Sequence, residues 1–219
     1  MILYIHSDEM ADTGRTFGRH RHRDVRHLVV PEDTSLSVVA DRAEGLMTDR
    51  DREASSTPIE KVIFNAHGSP GTIYIGETIT IHNVDVLGAR LRPLIKPLAD
   101  GGEGIEVHCC NVASQLRPAA ESYSRTCAPR THTGPSASDL AQTGVRFIYR
   151  MACAFNTLVL ASQHEQVADS FGFFENSLVE ATPSSDPDWH GNVRPIEHSP
   201  LVRTGDTTSL GLQAVFGFY

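Results

Sequence analysis

Over residues 1 to 130 the chain alternates short apolar, β-prone runs with helix-length amphipathic segments, and that alternation leaves few architectures open. Strands joined through helices run parallel, and a parallel sheet needs cover on both faces. Ile2 to Ile5 is the first such run and ends in the polar cluster His6, Ser7, Asp8, Glu9. His27 to Val30, stopped by Pro31, is the second, Lys61 to Asn65 the third and Ile105 to Cys109 the fourth.

Between these runs, Thr34 or Ser35 is placed to cap a helix whose apolar residues Leu36, Val39, Ala43, Leu46 and Met47 recur at three- and four-residue steps. Thr48 to Pro58 reads as a solvated loop. Thr72 to Ile75 and Thr78 to Ile81 alternate polar with apolar residues around Gly76-Glu77, which predicts a small hairpin after the third strand. Asn83 opens a helix through Val86, Leu87, Leu91 and Leu94, and Pro93 and Pro97 predict a kink or restart near residue 92 before the stop at Asp100-Gly101-Gly102. A helix from about Gln115 to Thr126 with Pro118 in its first turn follows, then a fifth strand over Thr131 to Ser138. Val145 to Ser162 is apolar and β-branched and predicts one or two further strands, and Leu210 to Phe218 a last one. The expected fold is α/β: a mainly parallel sheet with helices on both faces. One domain spans 1–219, with 144–219 a C-terminal extension of the 1–143 core whose strand order is open.

At 219 residues with 40% hydrophobic content, the chain is long enough to bury a full core. A net charge of -8 in short mixed runs argues against a nucleic-acid-binding surface. The start Met-Ile-Leu-Tyr-Ile-His lacks the basic, long apolar character of a secretory signal, and no stretch is long enough to span a bilayer, so the expected setting is cytoplasmic. A protein exported by a signal-independent machine, such as a delivered bacterial effector, looks the same. Of the four cysteines, Cys109 and Cys110 are adjacent and poorly placed to bridge each other, Cys127 and Cys153 read as structural, and a reducing setting keeps a thiol available. Trp189 and His190 stand in a loop to which no chemistry is assigned.

Parallel strands present their carboxyl ends on one edge, where open α/β sheets bind ligands. Three strands here end in reactive residues: His6, then His67, then Cys110 one crossover unit later. The third strand runs into His67-Gly68-Ser69-Pro70-Gly71, whose glycines let a substrate backbone approach, and the Gly68 N–H is a candidate donor to a developing oxyanion. The fourth runs into Cys110-Asn111-Val112-Ala113 ahead of the predicted helix, and both a helix N-terminus and a nearby imidazolium favour a thiolate. Imidazole beside thiol is the pair that nucleophilic catalysis by cysteine needs.

The segments Val-Ile-Phe-Asn-Ala-His67-Gly68 and Ile-Glu-Val-His-Cys-Cys110-Asn-Val-Ala, with Gly68-Ser-Pro-Gly and Ile-Tyr-Ile-Gly76 between them, resemble the caspase-like cysteine peptidases, the group of caspases, legumains, gingipains and the self-processing protease domains of large bacterial toxins. The resemblance covers roughly residues 60 to 135 and not the C-terminal third. It implies a caspase-like three-layer sandwich with His67 as catalytic base, Cys110 as nucleophile, and the Gly68 and Cys110 N–H groups as the oxyanion hole. It further implies an endopeptidase acting on peptide or protein substrates; no metal or cofactor is expected, and charge and hydropathy, as above, predict no nucleic-acid or membrane partner. Two departures stand in the sequence: His108 and Cys109 precede the cysteine where the family has small apolar residues, and no caspase substrate-pocket signature is present.

Several readings stay open at this point. Cys109 is the rival nucleophile, since a one-residue slip exchanges inward and outward thiols. His6, with Asp8 or Glu9, is a candidate for orienting the base or binding substrate. His108 shares the parity of Cys110 and either lines the crevice or is a hydrogen-bonded core histidine. His20, His22 and His27 invite a zinc reading, but no partner stands at a closed-site spacing, and a solvated loop is expected. The same dyad would serve a hydrolase or acyltransferase for small acyl groups, and the scaffold would also serve as a non-catalytic interaction module.

Overall fold

A computed structural model of the chain describes residues 1–11, 24–47, 59–114, 143–163, 178–184 and 192–196. Ile2–Ser7 forms β1, buried on both faces along its whole length, as an uninterrupted apolar run in a parallel sheet should be. Asp8–Ala11 follows as the single-turn helix α1, and Val25–Val30 forms β2. Ser35 caps α2, Leu36–Gly45, by accepting from the Val38 N–H, and the helix buries Leu36, Val39, Ala40 and Ala43 at the spacing seen in the sequence. Lys61–Asn65 is β3.

After β3, Gly68–Ser69 (β4), Thr72–Ile73 (β5) and Ile79–Thr80 (β6) make a three-stranded antiparallel sheet. The predicted hairpin is present, and the His-Gly turn itself supplies its third strand. Helix α3, Val84–Leu91, ends at a 3-10 turn over Arg92–Leu94, the restart that Pro93 predicts. Asn83 does not cap α3 with its side chain, because Oδ1 accepts from the Thr80 N–H and Nδ2 donates to the Thr78 carbonyl, tying the small sheet to the helix instead. Gly101, in the left-handed region at φ 89°, closes a second 3-10 turn, Leu98–Asp100.

Gly104–His108 is β7, so the fourth strand stops one residue earlier than the sequence reading and Cys109 begins a turn. The larger correction concerns Val145 to Ser162. Thr143–Phe155 is a helix, α4, and only Val159–Ser162 is a strand, β8. Val145, Ile148, Ala152 and Phe155 are all buried at helical spacing, and this three- and four-residue period outweighs the β-branched composition. Leu178–Ala181 (β9) and Val193–Ile196 (β10) complete the main sheet. The predicted elements over Gln115 to Thr126, Thr131 to Ser138 and Leu210 to Phe218, and the Thr48 to Pro58 loop except its neighbour Ile59, lie outside the described residues, as do His20, His22, Cys127, Trp189 and His190.

The main sheet has seven strands in the order β10-β9-β8-β7-β3-β1-β2; β8, β7, β3, β1 and β2 run parallel, while β9 is antiparallel to β8, and β10, antiparallel to β9, ends the sheet at that side. Helices α2, α3 and α4 pack side by side on one face and share a core with Leu3, Ile5, Val62, Phe64, Ile105 and Val107. Gly88 of α3 permits the close α3–α4 approach, since a Cβ there would sit 2.7 Å from that of Ala154. The opposite face carries Ile2, Tyr4 and Ile63 together with a row of polar side chains. No helix among the described residues is long and apolar enough to cross a membrane.

Candidate active site

Strands β3 and β7 are adjacent and parallel, with Asn65 opposite His108, so both chains leave the sheet at the same carboxyl edge. His67 follows β3 after Ala66, and the Cys109-Cys110 pair follows β7 at once. The two turns are in van der Waals contact. A Cβ placed on Gly68 would lie 2.8 Å from the Cys109 Cβ and 3.0 Å from the Cys110 carbonyl oxygen, so only glycine lets the His-Gly turn come this close. The Gly71 N–H donates to the Val112 carbonyl at 2.9 Å and ties the same two turns together further out. On the other side of His67, its carbonyl accepts from the Tyr74 N–H at 3.0 Å, which anchors the imidazole-bearing residue to the small sheet.

The adjacent thiols have opposite environments. Cys109 is 1% exposed, sits in the core with its Sγ–H directed at the Phe64 carbonyl, and burial pushes its thiol well above the usual range. Cys110 is only half-buried and lies in the turn, which Asn111 bends with φ 57° before Ala113 donates to the Ser162 carbonyl. Strand alternation thus puts Cys109 inward with Val107 and Ile105, and the turn carries Cys110 out of that alternation.

His67 has its side chain half exposed, and its Nε2 stands 3.6 Å from Glu9 Oε2, delivered by α1 from the end of the neighbouring β1. Of the residues expected to orient the base, His6 is fully buried and committed elsewhere. Asn65 Nδ2 donates to His6 Nδ1 at 3.1 Å, and His6 Nε2 donates to His27 Nδ1 at 2.9 Å, a tautomer set by the amide donor. The His6 ring stacks with those of Tyr4 and His27. Asp8 is also engaged locally, its Oδ1 accepting from the Glu9 N–H. His108 is largely buried and bonds Glu106 Oε2 through Nε2 at 2.9 Å, the hydrogen-bonded alternative of the two roles open to it. His27 belongs to strand β2, as the reading of His27 to Val30 as a strand expects, and not to the solvated loop expected for the histidine-rich segment.

Two polar arrays therefore share the face opposite the helices, and neither was read from the sequence. One is the Asn65–His6–His27 chain, and the other is Glu106 held between Lys61 Nζ at 2.7 Å and His108, with Glu103 also on Lys61 at 2.9 Å. Burial would raise the Glu106 carboxyl, but Lys61 and His108 outweigh it and hold Glu106 well below the usual range; burial would lower Lys61, and the two carboxylates likewise outweigh it. The signal for both arrays was there in principle: Lys61, Asn65, Glu106 and His108 stand at every second or fourth position in strands expected to be buried on both faces, and buried polar groups need partners.

The His6 chain requires neutral rings, and burial first, then the charges of His27 and His108, pushes His6 down to about 4. An unfolded histidine titrates at about 6.5. Between those values the unfolded chain binds a proton that the folded chain refuses, so stability falls as pH falls through that window, by about 3 kcal/mol at most. Urea midpoints measured between about pH 7 and 4.5 should drop in the native chain and drop less in His6→Phe, which keeps a stacking ring without the titration. Equal slopes for the two would show that His6 is not the acid-sensitive group.

Comparison of the chain with protein-family models and with curated proteins returns no match.

Proposed function

We propose that this chain is a caspase-like cysteine endopeptidase, built as a three-layer sandwich, in which Cys110 is the nucleophile and His67 the base. The observation that carries the reading is the contact between the two turns, with Gly68 packed against Cys109 and the Cys110 carbonyl at the shared carboxyl edge of adjacent parallel strands. The core position of Cys109 favours Cys110 as the thiol available to a substrate.

In this mechanism His67 takes the Cys110 proton, and the sulfur bonds the peptide carbonyl carbon. The Gly68 and Cys110 N–H groups hold the oxyanion. The imidazolium then gives its proton to the departing amine as the C–N bond breaks, leaving a thioester. Water, deprotonated by His67, adds to the thioester, the C–S bond breaks, and the thiolate recovers the proton. Thiol and imidazole suffice for every step.

A peptide carrying a thiol-directed electrophile tests the assignment. Incubated with the native chain and digested for mass mapping, the probe should be found on Cys110 and not on Cys109. An adduct on Cys109, or a peptide probe that reacts no faster than a simple alkylating agent of the same electrophile, would remove the reading. Parallel profiling with peptide and thioester substrates separates a peptidase from an enzyme of small acyl groups.

A further inference from the structure

A base that must take a proton on one ring nitrogen works best when the other is held, and three neighbours at the carboxyl edge were candidates for that task. The structure leaves one. Both ring nitrogens of His6 are engaged, by Asn65 and His27, and Asp8 Oδ1 accepts from the Glu9 N–H. Glu9 directs its carboxylate at the imidazole, with Oε2 at 3.6 Å from Nε2. Among the described residues no hydrogen bond or ion pair engages His67 Nδ1.

Resting on the reading above, we infer that Glu9 is the positioning carboxylate of the site: it holds the Nε2–H edge of His67, so that Nδ1 is the nitrogen that exchanges the proton with Cys110. The geometry of β1 explains why a residue so far away in sequence serves here. Strand β1 pairs with β3 in register, His6 opposite Asn65, so α1 begins at the level where β3 turns into His67. The separation is just beyond hydrogen-bonding distance, and both groups are half or more exposed. A bound substrate covers the pair, displaces water and shortens the contact while the ring carries its positive charge. Glu9 touches neither thiol nor substrate and acts only through His67.

The experiment uses a peptide aldehyde and the full chain. Addition forms a bond from the Cys110 sulfur to the aldehyde carbon, moves the thiol proton to His67 and leaves the negative charge on oxygen, so the ring becomes an imidazolium with a proton on each nitrogen. Proton NMR of the adduct should then show a His67 Nε2–H resonance shifted downfield by the carboxylate, assigned by its loss in His67→Gln. In Glu9→Gln that resonance should move upfield, and kcat on peptide should fall about 5-fold, the top of the range for an exposed charge pair, with KM unchanged. Glu9→Asp should recover part of both effects. An Nε2–H resonance and kcat in Glu9→Gln that match the native chain would overturn the proposal. Failure of the aldehyde to add to Cys110 at all would overturn the dyad itself, an outcome recognisable by mass before any spectrum is taken.

Discussion

Cys110→Ala is expected to lower peptide turnover by at least about 1,000-fold while leaving the fold intact, because the variant keeps Gly68 and the base but has no atom that can become the thioester. The side chain is half-buried in a turn and outside the buried core that holds Cys109, so its loss should change the unfolding midpoint less than truncation of Cys109. Cys109→Ala should behave in the opposite way. Its sulfur fills core space beside Phe64 and Val107, and truncation there costs stability through a cavity rather than through chemistry. Turnover that survives Cys110→Ala and disappears in Cys109→Ala at a temperature where both are folded would transfer the nucleophile to Cys109. Turnover unchanged in both would end the cysteine mechanism.

Glu106→Leu is expected to destabilise the chain by about 3 kcal/mol, since it strands a Lys61 ammonium that is 7% exposed and removes the acceptor of His108. The figure sits at the low end for breaking a buried pair because Glu103 still reaches Lys61. For a chain of this length it corresponds to a fall in Tm of about 6 to 12 °C. The double variant Lys61→Met with Glu106→Leu should recover most of the loss, because removing both charges removes the desolvation cost along with the attraction. A single variant as stable as the native chain would mean that the pair is solvated in solution, and a double variant no better than the single would assign the loss to packing. The array lies on the face opposite helices α2, α3 and α4, under the edge that bears Cys110, so a loosened Glu106 should also lower turnover.

Most strand positions were legible because burial on both faces leaves uninterrupted apolar runs, as in Ile2 to Ile5 and Val62 to Phe64. The Ser35 cap and the Pro93 restart were legible because they depend on one or two neighbouring residues. Over Val145 to Phe155 the β-branched composition points to strand, but Val145, Ile148, Ala152 and Phe155 trace one helix face, and in the fold the period prevails. The end of β7 was misplaced by a single residue, and at that spot one residue decides which thiol faces the core.

What the sequence by itself determined is the local material of the site: a strand delivering His67 and Gly68, and a second strand, one crossover later, delivering two cysteines. The tertiary structure decided which residues work together. Lys61 finds Glu106 across 45 positions, His6 finds Asn65 across 59, and Glu9 reaches His67 from another strand end. Each of these pairings depends on the order and register in which distant strands align, and register is set by the packing of whole faces, which no local pattern of residues encodes. The alternation that Cys109 shares with Val107 and Ile105 is local, but that this side of β7 faces the core follows from how β7 docks between β3 and β8.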